Sequence, residues 1–392
     1  MRLVPRETDF SGWLRSPRVA ARVGVWLGVC FGVAFITGLI SHVAYEPPGW
    51  LTFPTRPVSL YRITQGTHVV AGTMAVPLLL VKLWVVYPKL FAKVPWGDVR
   101  RLVVHGLERA SIAALVAAAI FQLVTGLANS SQWYPWGSFS FRDMHYAVAW
   151  VAIGSLALHV AVKLRIARAA LASDVNSGDP VGGVPDVEAP ADSSHGLTRR
   201  GLLRTTWVAA GLAGLSTAGI SVPWLRDVSI FGIRSGDGPQ GVPINQTAVE
   251  ARVTAAASKA SYRLEIVNGA TRRQLSRADL EAMPQRTEVL PIACVEGWSA
   301  SAEWGGVRLR DLLAVVGAPS ESVVAFVSLE EDGAFNTSEL PAQFSDDPLT
   351  LIALRLNGAD LSIDHGYPCR LIAPARPGVF QTKWLSRIEV VA

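Results

Sequence analysis

The chain predicts a fold in two parts: an N-terminal α-helical membrane bundle of four spans with a fifth anchoring span, then a mixed α+β domain that is mostly β. Three observations carry this prediction. Four apolar runs, each near the ~20 residues that cover a bilayer, lie within residues 1–169. A stretch rich in Asp, Gly, Pro and Ser then breaks the pattern. From Asn245 onward, short β-rich runs alternate with Gly/Pro/Asp turns. The length of 392 residues suits two domains. Half of the residues are hydrophobic and 17% are charged. The net charge of +5 comes from basic residues at the ends of apolar runs. That placement suits membrane topology, and no nucleic-acid partner is expected.

The apolar runs are roughly Val19–Ile40, His68–Val86, Ile112–Ala128 and Tyr146–Leu164. Arg2, Arg6, Arg15, Arg18 and Arg22 precede the first. Lys89, Lys93, Arg100, Arg101 and Arg109 join the second to the third, and Lys163, Arg165 and Arg168 close the fourth. The other two connections are poor in basic residues and rich in aromatics, as at Trp133-Tyr134-Pro135-Trp136. The positive-inside rule then puts both ends of this four-helix unit, residues 1–169, in the cytoplasm.

Five of the seven histidines fall in or beside these spans: His42, His68, His105, His145 and His159. Imidazoles in a bilayer are costly unless they serve a purpose. The orientation puts His42, His68 and His145 near the outer face and His105 and His159 near the inner face. His145 and His159 are 14 residues apart. They share a helix face about 21 Å apart along the axis, which suits two irons stacked across one membrane. Interfacial hydrogen bonding is the blander reading for any one of them.

This part of the chain resembles four-helix cytochrome b subunits, such as the membrane subunit of formate dehydrogenases. The resemblance implies haem b, one or two. His68 and His145 would ligate the outer haem, with His42 as a competing outer ligand. The family's inner partner near the start of the first helix is replaced by Arg18 and Arg22, so His105 would join His159 on an inner haem. Arg62, Arg109 and Arg142 lie at depths suited to haem propionates or to ordinary interfacial anchoring.

Residues 170–197 read as a flexible cytoplasmic linker. Residues 198–226 follow. Thr198-Arg199-Arg200-Gly201-Leu202-Leu203-Arg204 precedes a weakly apolar run, a pattern that looks like a twin-arginine export signal. Paired arginines at the cytoplasmic end of any span are the plainer alternative. A crossing from Trp207 to Trp224 would place residues 227–392 outside. Ser216-Thr217-Ala218 is a weak cleavage site, and a retained anchor is expected. The location expected is the bacterial cytoplasmic membrane, with lipid as a partner.

In the exported part, strands are expected at Tyr262–Gly269, Val323–Leu329 and Leu351–Leu356, with helices at Arg277–Ala282 and Leu309–Val316. Of the three cysteines, Cys30, Cys294 and Cys369, only Cys294 ends an apolar strand and enters a loop. Its thiolate could ligate a metal or act as a nucleophile. His365 could pair with it as a hydrolase dyad, and zinc spacing is not found.

Cys294-Val295-Glu296-Gly297-Trp298-Ser299, Trp304-Gly305-Gly306-Val307-Arg308-Leu309 and Leu312-Leu313 are followed by Asp332-Gly333, Asn357-Gly358, His365-Gly366-Tyr367-Pro368, Arg370-Leu371-Ile372-Ala373-Pro374 and Lys383-Trp384. Residues 245–392 thereby resemble the molybdopterin domain of the sulfite oxidase family, in particular its periplasmic methionine sulfoxide reductase branch. The resemblance implies that Cys294 binds molybdenum and is the catalytic residue. Ser328 lies near the pterin, His365 and Arg370 contact the pyranopterin and phosphate, and Gln381, Thr382 and Lys383 line the phosphate end. Asn245 corresponds to an early pterin contact. His365 stands where the reductase branch has asparagine, and the arginine cluster used for sulfite is not found.

The resemblance implies an oxidoreductase that exchanges an oxygen atom with a small-molecule substrate outside the membrane. Electrons would run through haem to or from the quinone pool. The competing expectation is a haem electron carrier whose outer domain has no cofactor and serves in binding or assembly. Molybdenum in the purified protein separates the two.

Overall fold

A computed structural model describes residues 6–10, 12–134, 141–187, 197–232, 238–333 and 335–391. Arg2, Pro135, Trp136 and linker residues 188–196, all used above, lie outside this set. The chain divides into two compact units. One comprises residues 1–37 and 67–217, the other residues 38–66 and 218–392.

The first unit is helical: α1 (Pro17–Tyr45), α2 (Leu60–Val86), α3 (Val99–Ser130), α4 (Phe141–Ala172) and α5 (Arg199–Ala218). α1 and α2 each extend one end into the second unit. Among the described residues, four helices are long and apolar enough to cross a membrane, and they are α1 to α4, with the second running on to Phe91. Each outruns its apolar core, because basic and amphipathic side chains let a helix continue into the interface. Asp98 sets the start of α3 by accepting from the Arg101 amide at 3.0 Å.

α5 has 20 residues, about 30 Å of helix. It is less apolar than the other four and stops at Ala218, short of the expected Trp224. Its Leu203 and Ala210 pack with Val19, Val23 and Cys30 of α1 and with Ala75 and Leu78 of α2. A Cβ on Gly214 would lie 2.7 Å from Met74 Cγ, so glycine is what allows this approach. The hydroxyls of Thr73 and Thr217 meet at 2.8 Å.

α4 continues to Ala172, and residues 173–187 fold back onto the helices. Asp186 is buried and ion-paired to Arg18 at 2.6 Å and Arg199 at 3.0 Å. Arg18 also donates to Ser173 Oγ and the Asp179 carbonyl. Arg199 donates to the carbonyls of Trp13, Val175, Ser177 and Val187. Two buried guanidinium groups need an anion and carbonyl acceptors, and a polar, small-residue segment provides both. Composition signals low apolar content but not this demand. Asp186→Ala should therefore cost about 3–5 kcal/mol by stranding two buried cations. It would be read as earlier thermal unfolding of the detergent-solubilised chain; an unchanged transition would remove the cluster as a stabilising feature.

The second unit contains α6 (Thr254–Ala257), β1 (Leu264–Asn268), β2 (Thr271–Leu275), α7 (Arg277–Ala282), β3 (Gln285–Ala293), β4 (Ser299–Arg308), α8 (Leu309–Ala314), β5 (Val324–Ser328), β6 (Thr337–Leu340), α9 (Ala342–Ser345), β7 (Leu351–Leu356), β8 (Ala359–Asp360), β9 (Arg370–Ile372) and β10 (Leu385–Val390). One sheet has the order β2-β1-β10-β5-β6. The other has β3-β4-β7-β8, with β9 also on β7. β1 and β10 are parallel, and the other pairs are antiparallel.

Ile266, Phe326, Ile352, Leu354 and Ile388 meet in one core. Leu351 and Ala353, alternate residues of β7, join Leu290, Ile292 and Trp304 in a second. Burial on both faces explains why β7 reads as a nearly continuous apolar run. β4 shifts register at Gly305/Gly306. A Cβ on Gly306 would lie 2.1 Å from the Ile352 carbonyl oxygen, so the glycine permits the close strand approach. This is the mostly β domain with some helix that the sequence predicts, and its strands and helices fall within a few residues of their expected places.

Candidate functional site

Cys294 sits in the loop that joins β3 to β4. The pairing of Ala293 with Ser299 closes the hairpin, and the Cys294 amide donates to the Trp298 carbonyl at 2.9 Å. Gly297 has φ of 95°, a left-handed conformation that glycine adopts without strain. The indole of Trp298 donates to Glu296 at 3.0 Å. The loop thus presents a buried thiol at the wall of a cavity.

Every residue expected at the molybdopterin site lines that one cavity: Asn245, Cys294, Ser328, His365, Arg370, Gln381, Thr382 and Lys383. They come from the loop before α6, the β3–β4 loop, the end of β5, the turn before β9 and its first residue, and the segment entering β10. Ser328 Oγ donates to the Lys383 carbonyl at 2.9 Å, which locks two of these segments together. Gly366, at φ of 107°, brings a third alongside; a Cβ there would lie 3.1 Å from both Arg370 Cβ and Lys383 Cβ. The sequence reading missed Gln246, Trp298, Phe335 and Asp364, which share the lining. Only the fold brings these residues to the cavity.

Arg370 and Lys383 bring positive charge to the lining. Arg370 lies over the Trp304 ring and donates to the carbonyls of His365 and Gln381. Lys383 donates to the carbonyls of Gln246 and Asp364. Burial lowers the Arg370 pKa to about 9. Burial, then Arg370, lowers Lys383 to about 7 and His365 to about 4, with Lys383 adding to the latter. His365 Nε2 faces the Pro239 carbonyl at 2.7 Å, which argues against the Cys294–His365 dyad. Arg370 Nε and Gln381 Oε1 are buried without a protein partner. A buried thiol, desolvated cations and unsatisfied polar atoms in one cavity lining fit a bulky anionic cofactor with a sulfur-bound metal.

These shifts have a sign. Between about pH 4 and 6.5 the unfolded chain holds a proton on His365 that the folded protein lacks. Stability of the cofactor-free protein therefore rises with pH across that window. His365→Asn should flatten the slope, by on the order of 3 kcal/mol across the window. Thermal unfolding of the full chain followed against pH checks it; an unaltered slope would assign the titration elsewhere.

In the first unit, His68 and His145 face each other, with ring centroids 6.0 Å apart. His68 Nδ1 lies 2.8 Å from the Ala34 carbonyl oxygen. His145 Nδ1 lies 2.9 Å from Thr125 Oγ1, whose hydrogen goes to the Phe121 carbonyl at 2.6 Å. Both Nδ1 atoms are thus donors, which leaves both Nε2 lone pairs available to a metal. A metal between two ring nitrogens, each about 2 Å away, sets the centroids roughly 6 Å apart.

The inner pair differs. Among the described residues no ring contact joins His105 to His159, and His105 Nε2 is buried without a partner. His42 lies in the last turn of α1, within the second unit. The three arginines considered for propionates or interfacial anchoring each have protein acceptors. Arg62 binds the Ser221 carbonyl and Ser301 Oγ. Arg109 binds the Lys89 and Leu90 carbonyls, and Arg142 binds Asp143. Each faces a closer acceptor than helix depth alone reveals.

A family model described as an oxidoreductase molybdopterin binding domain matches residues 250–392. Mitochondrial sulfite oxidase of Homo sapiens is 32% identical over 158 residues, covering 33% of this chain and 29% of that protein. The Mus musculus protein is 30% identical over the same length and shares. A protein named as a protein-methionine-sulfoxide reductase subunit, YedZ1, of Azospira oryzae is 30% identical over 132 residues, 33% of this chain and 49% of that one. The chain thus spans less than a third of those sulfite oxidases and about half of the Azospira protein. The crystal structure of sulfane dehydrogenase SoxCD from Paracoccus pantotrophus aligns with a TM-score of 0.30 at 26% identity, over 34% of this chain and 40% of that one. Residues 250–392 are a molybdopterin-binding oxidoreductase domain of the sulfite oxidase family.

Proposed function

We propose that the chain is an enzyme of the bacterial cytoplasmic membrane that couples oxygen-atom transfer at an outer molybdenum cofactor to electron transfer through b haem and the quinone pool. The observation that carries the coupling is the His68–His145 pair, with ring centroids 6.0 Å apart and each Nδ1 already hydrogen-bonded, in the same chain as a molybdopterin-binding domain. When bound, the cofactor supplies two-electron oxygen-atom exchange. Cys294 holds the metal through its sulfur. Arg370 and Lys383 neutralise the phosphate, for which a fixed fork and a point charge are suited. Asn245, Ser328, His365, Gln381 and Thr382 orient the pterin.

The substrate is a small molecule with reactive sulfur, the chemistry common to the names of the relatives. A second haem at His105 and His159 completes the fuller version of this reading. α5 carries the chain outward, with the N-terminus inside, and Arg199-Arg200 directs export of the folded domain. Surrounding lipid seals the helices. The purified protein should contain near-stoichiometric molybdenum and give a b-type α-band in a reduced-minus-oxidised spectrum. Loss of the band from the result would end the haem coupling. Lack of molybdenum in protein from a molybdopterin-competent host would end the enzyme reading.

A further inference from the structure

The first two turns of α2 grip the loop that carries Cys294. Gln65 Nε2 donates to the Val295 carbonyl at 2.8 Å. Ser221 Oγ donates to the Gly297 carbonyl at 2.7 Å, and the Ile220 carbonyl accepts from the Ser299 amide at 3.0 Å. Arg62 holds that second strap, donating to the Ser221 carbonyl at 3.2 Å and to Ser301 Oγ at 2.7 Å. A Cβ on Gly66 would lie 2.7 Å from Ser221 Cβ, so glycine lets the strap lie against α2. Gln65 is buried. A buried amide at a helix start is retained only where it has a partner, and here its partner is the residue after Cys294.

We propose that Gln65 is a positioning residue that ties the Cys294 loop to α2 and thereby sets the rate of electron exchange with the group held at His68. This rests on the function proposed above. From Cys294 the connection runs through the Val295 carbonyl, one hydrogen bond to Gln65, and the α2 backbone to His68. It is a continuous set of covalent bonds closed by a single hydrogen bond. Each transfer moves one electron between the molybdenum centre and the haem iron. With both groups bound, the electron would pass from the metal held at Cys294 to the haem held at His68 when substrate is oxidised, and the other way when it is reduced. No atom changes partner in that step.

The test uses the full chain loaded with both groups and needs no substrate. Flash-photoreduced 5-deazariboflavin delivers an electron to the haem, and haem reoxidation by the molybdenum centre follows as a phase independent of protein concentration. Gln65→Leu should slow that phase about tenfold or more, the scale of losing a supporting contact to a metal ligand, with haem and molybdenum contents unchanged. Gln65→Glu, protonated where it is buried and so still a donor, should keep the rate. Amide hydrogen exchange across Val295–Trp298, measured also in cofactor-free protein, should quicken in Gln65→Leu. An unchanged phase or unchanged exchange in Gln65→Leu overturns the inference and leaves the proposed function standing. A wild-type protein with molybdenum but no haem phase overturns both.

Discussion

Cys294→Ala should abolish molybdenum-dependent turnover and strip the metal while leaving the protein folded. The thiol is buried, so trimming it costs about 1 kcal/mol of packing. The loop stays closed through its backbone, because the Cys294 amide still reaches Trp298. Loss of a supporting residue at a metal site costs about 10–100-fold, and loss of the sulfur ligand itself should exceed that range. Cys369 provides the control. It is equally buried and shares a 3.2 Å contact with the Tyr262 hydroxyl, and burial pushes its thiol up to about 12. A thiol held neutral is a poor ligand, so Cys369→Ala should lower stability and keep metal and turnover. Molybdenum by mass spectrometry and dye-linked oxygen-atom transfer check both. If Cys294→Ala retained metal, the site assignment would be wrong.

His68→Ala and His145→Ala should each lower haem content by about tenfold or more, seen as loss of the b-type α-band. The argument is geometric. The two imidazoles meet at 6.0 Å between centroids, and each has its Nδ1 already committed. Removing either leaves the iron with one protein ligand. Thr125→Val removes the acceptor that orients His145 and should weaken binding by roughly tenfold. His42→Ala should leave the outer haem in place. His105→Ala separates one haem from two: a band reduced by half supports the inner haem, and an unchanged band removes it. A full band in His145→Ala would exclude this pair as the ligands.

Much of the architecture was legible because its causes are local. Four long apolar segments have few fates other than helices, and β7 reads as a buried strand because both its faces are covered. α7 sits where it was expected because Ser276 and Asp279 form a reciprocal cap. The partners of residues 173–187 were not legible for a physical reason. Asp186 looks like one more polar residue until Arg18 and Arg199 are known to be buried beside it. The acceptors of Arg62 were likewise not legible, since depth along a helix does not say which acceptor a long side chain meets.

The sequence by itself determined the four long apolar helices, the β-rich second domain, the cysteine at the end of an apolar strand and the spacing of the histidines. Each follows from residue type and period along the chain. Only the tertiary structure decided that eight residues spread from Asn245 to Lys383 line one cavity, that His68 meets His145, and that Gln65 reaches the loop of Cys294. Those are contacts between residues distant along the chain, made by buried polar groups that must find partners where water is excluded, and no local pattern records which partner each will find.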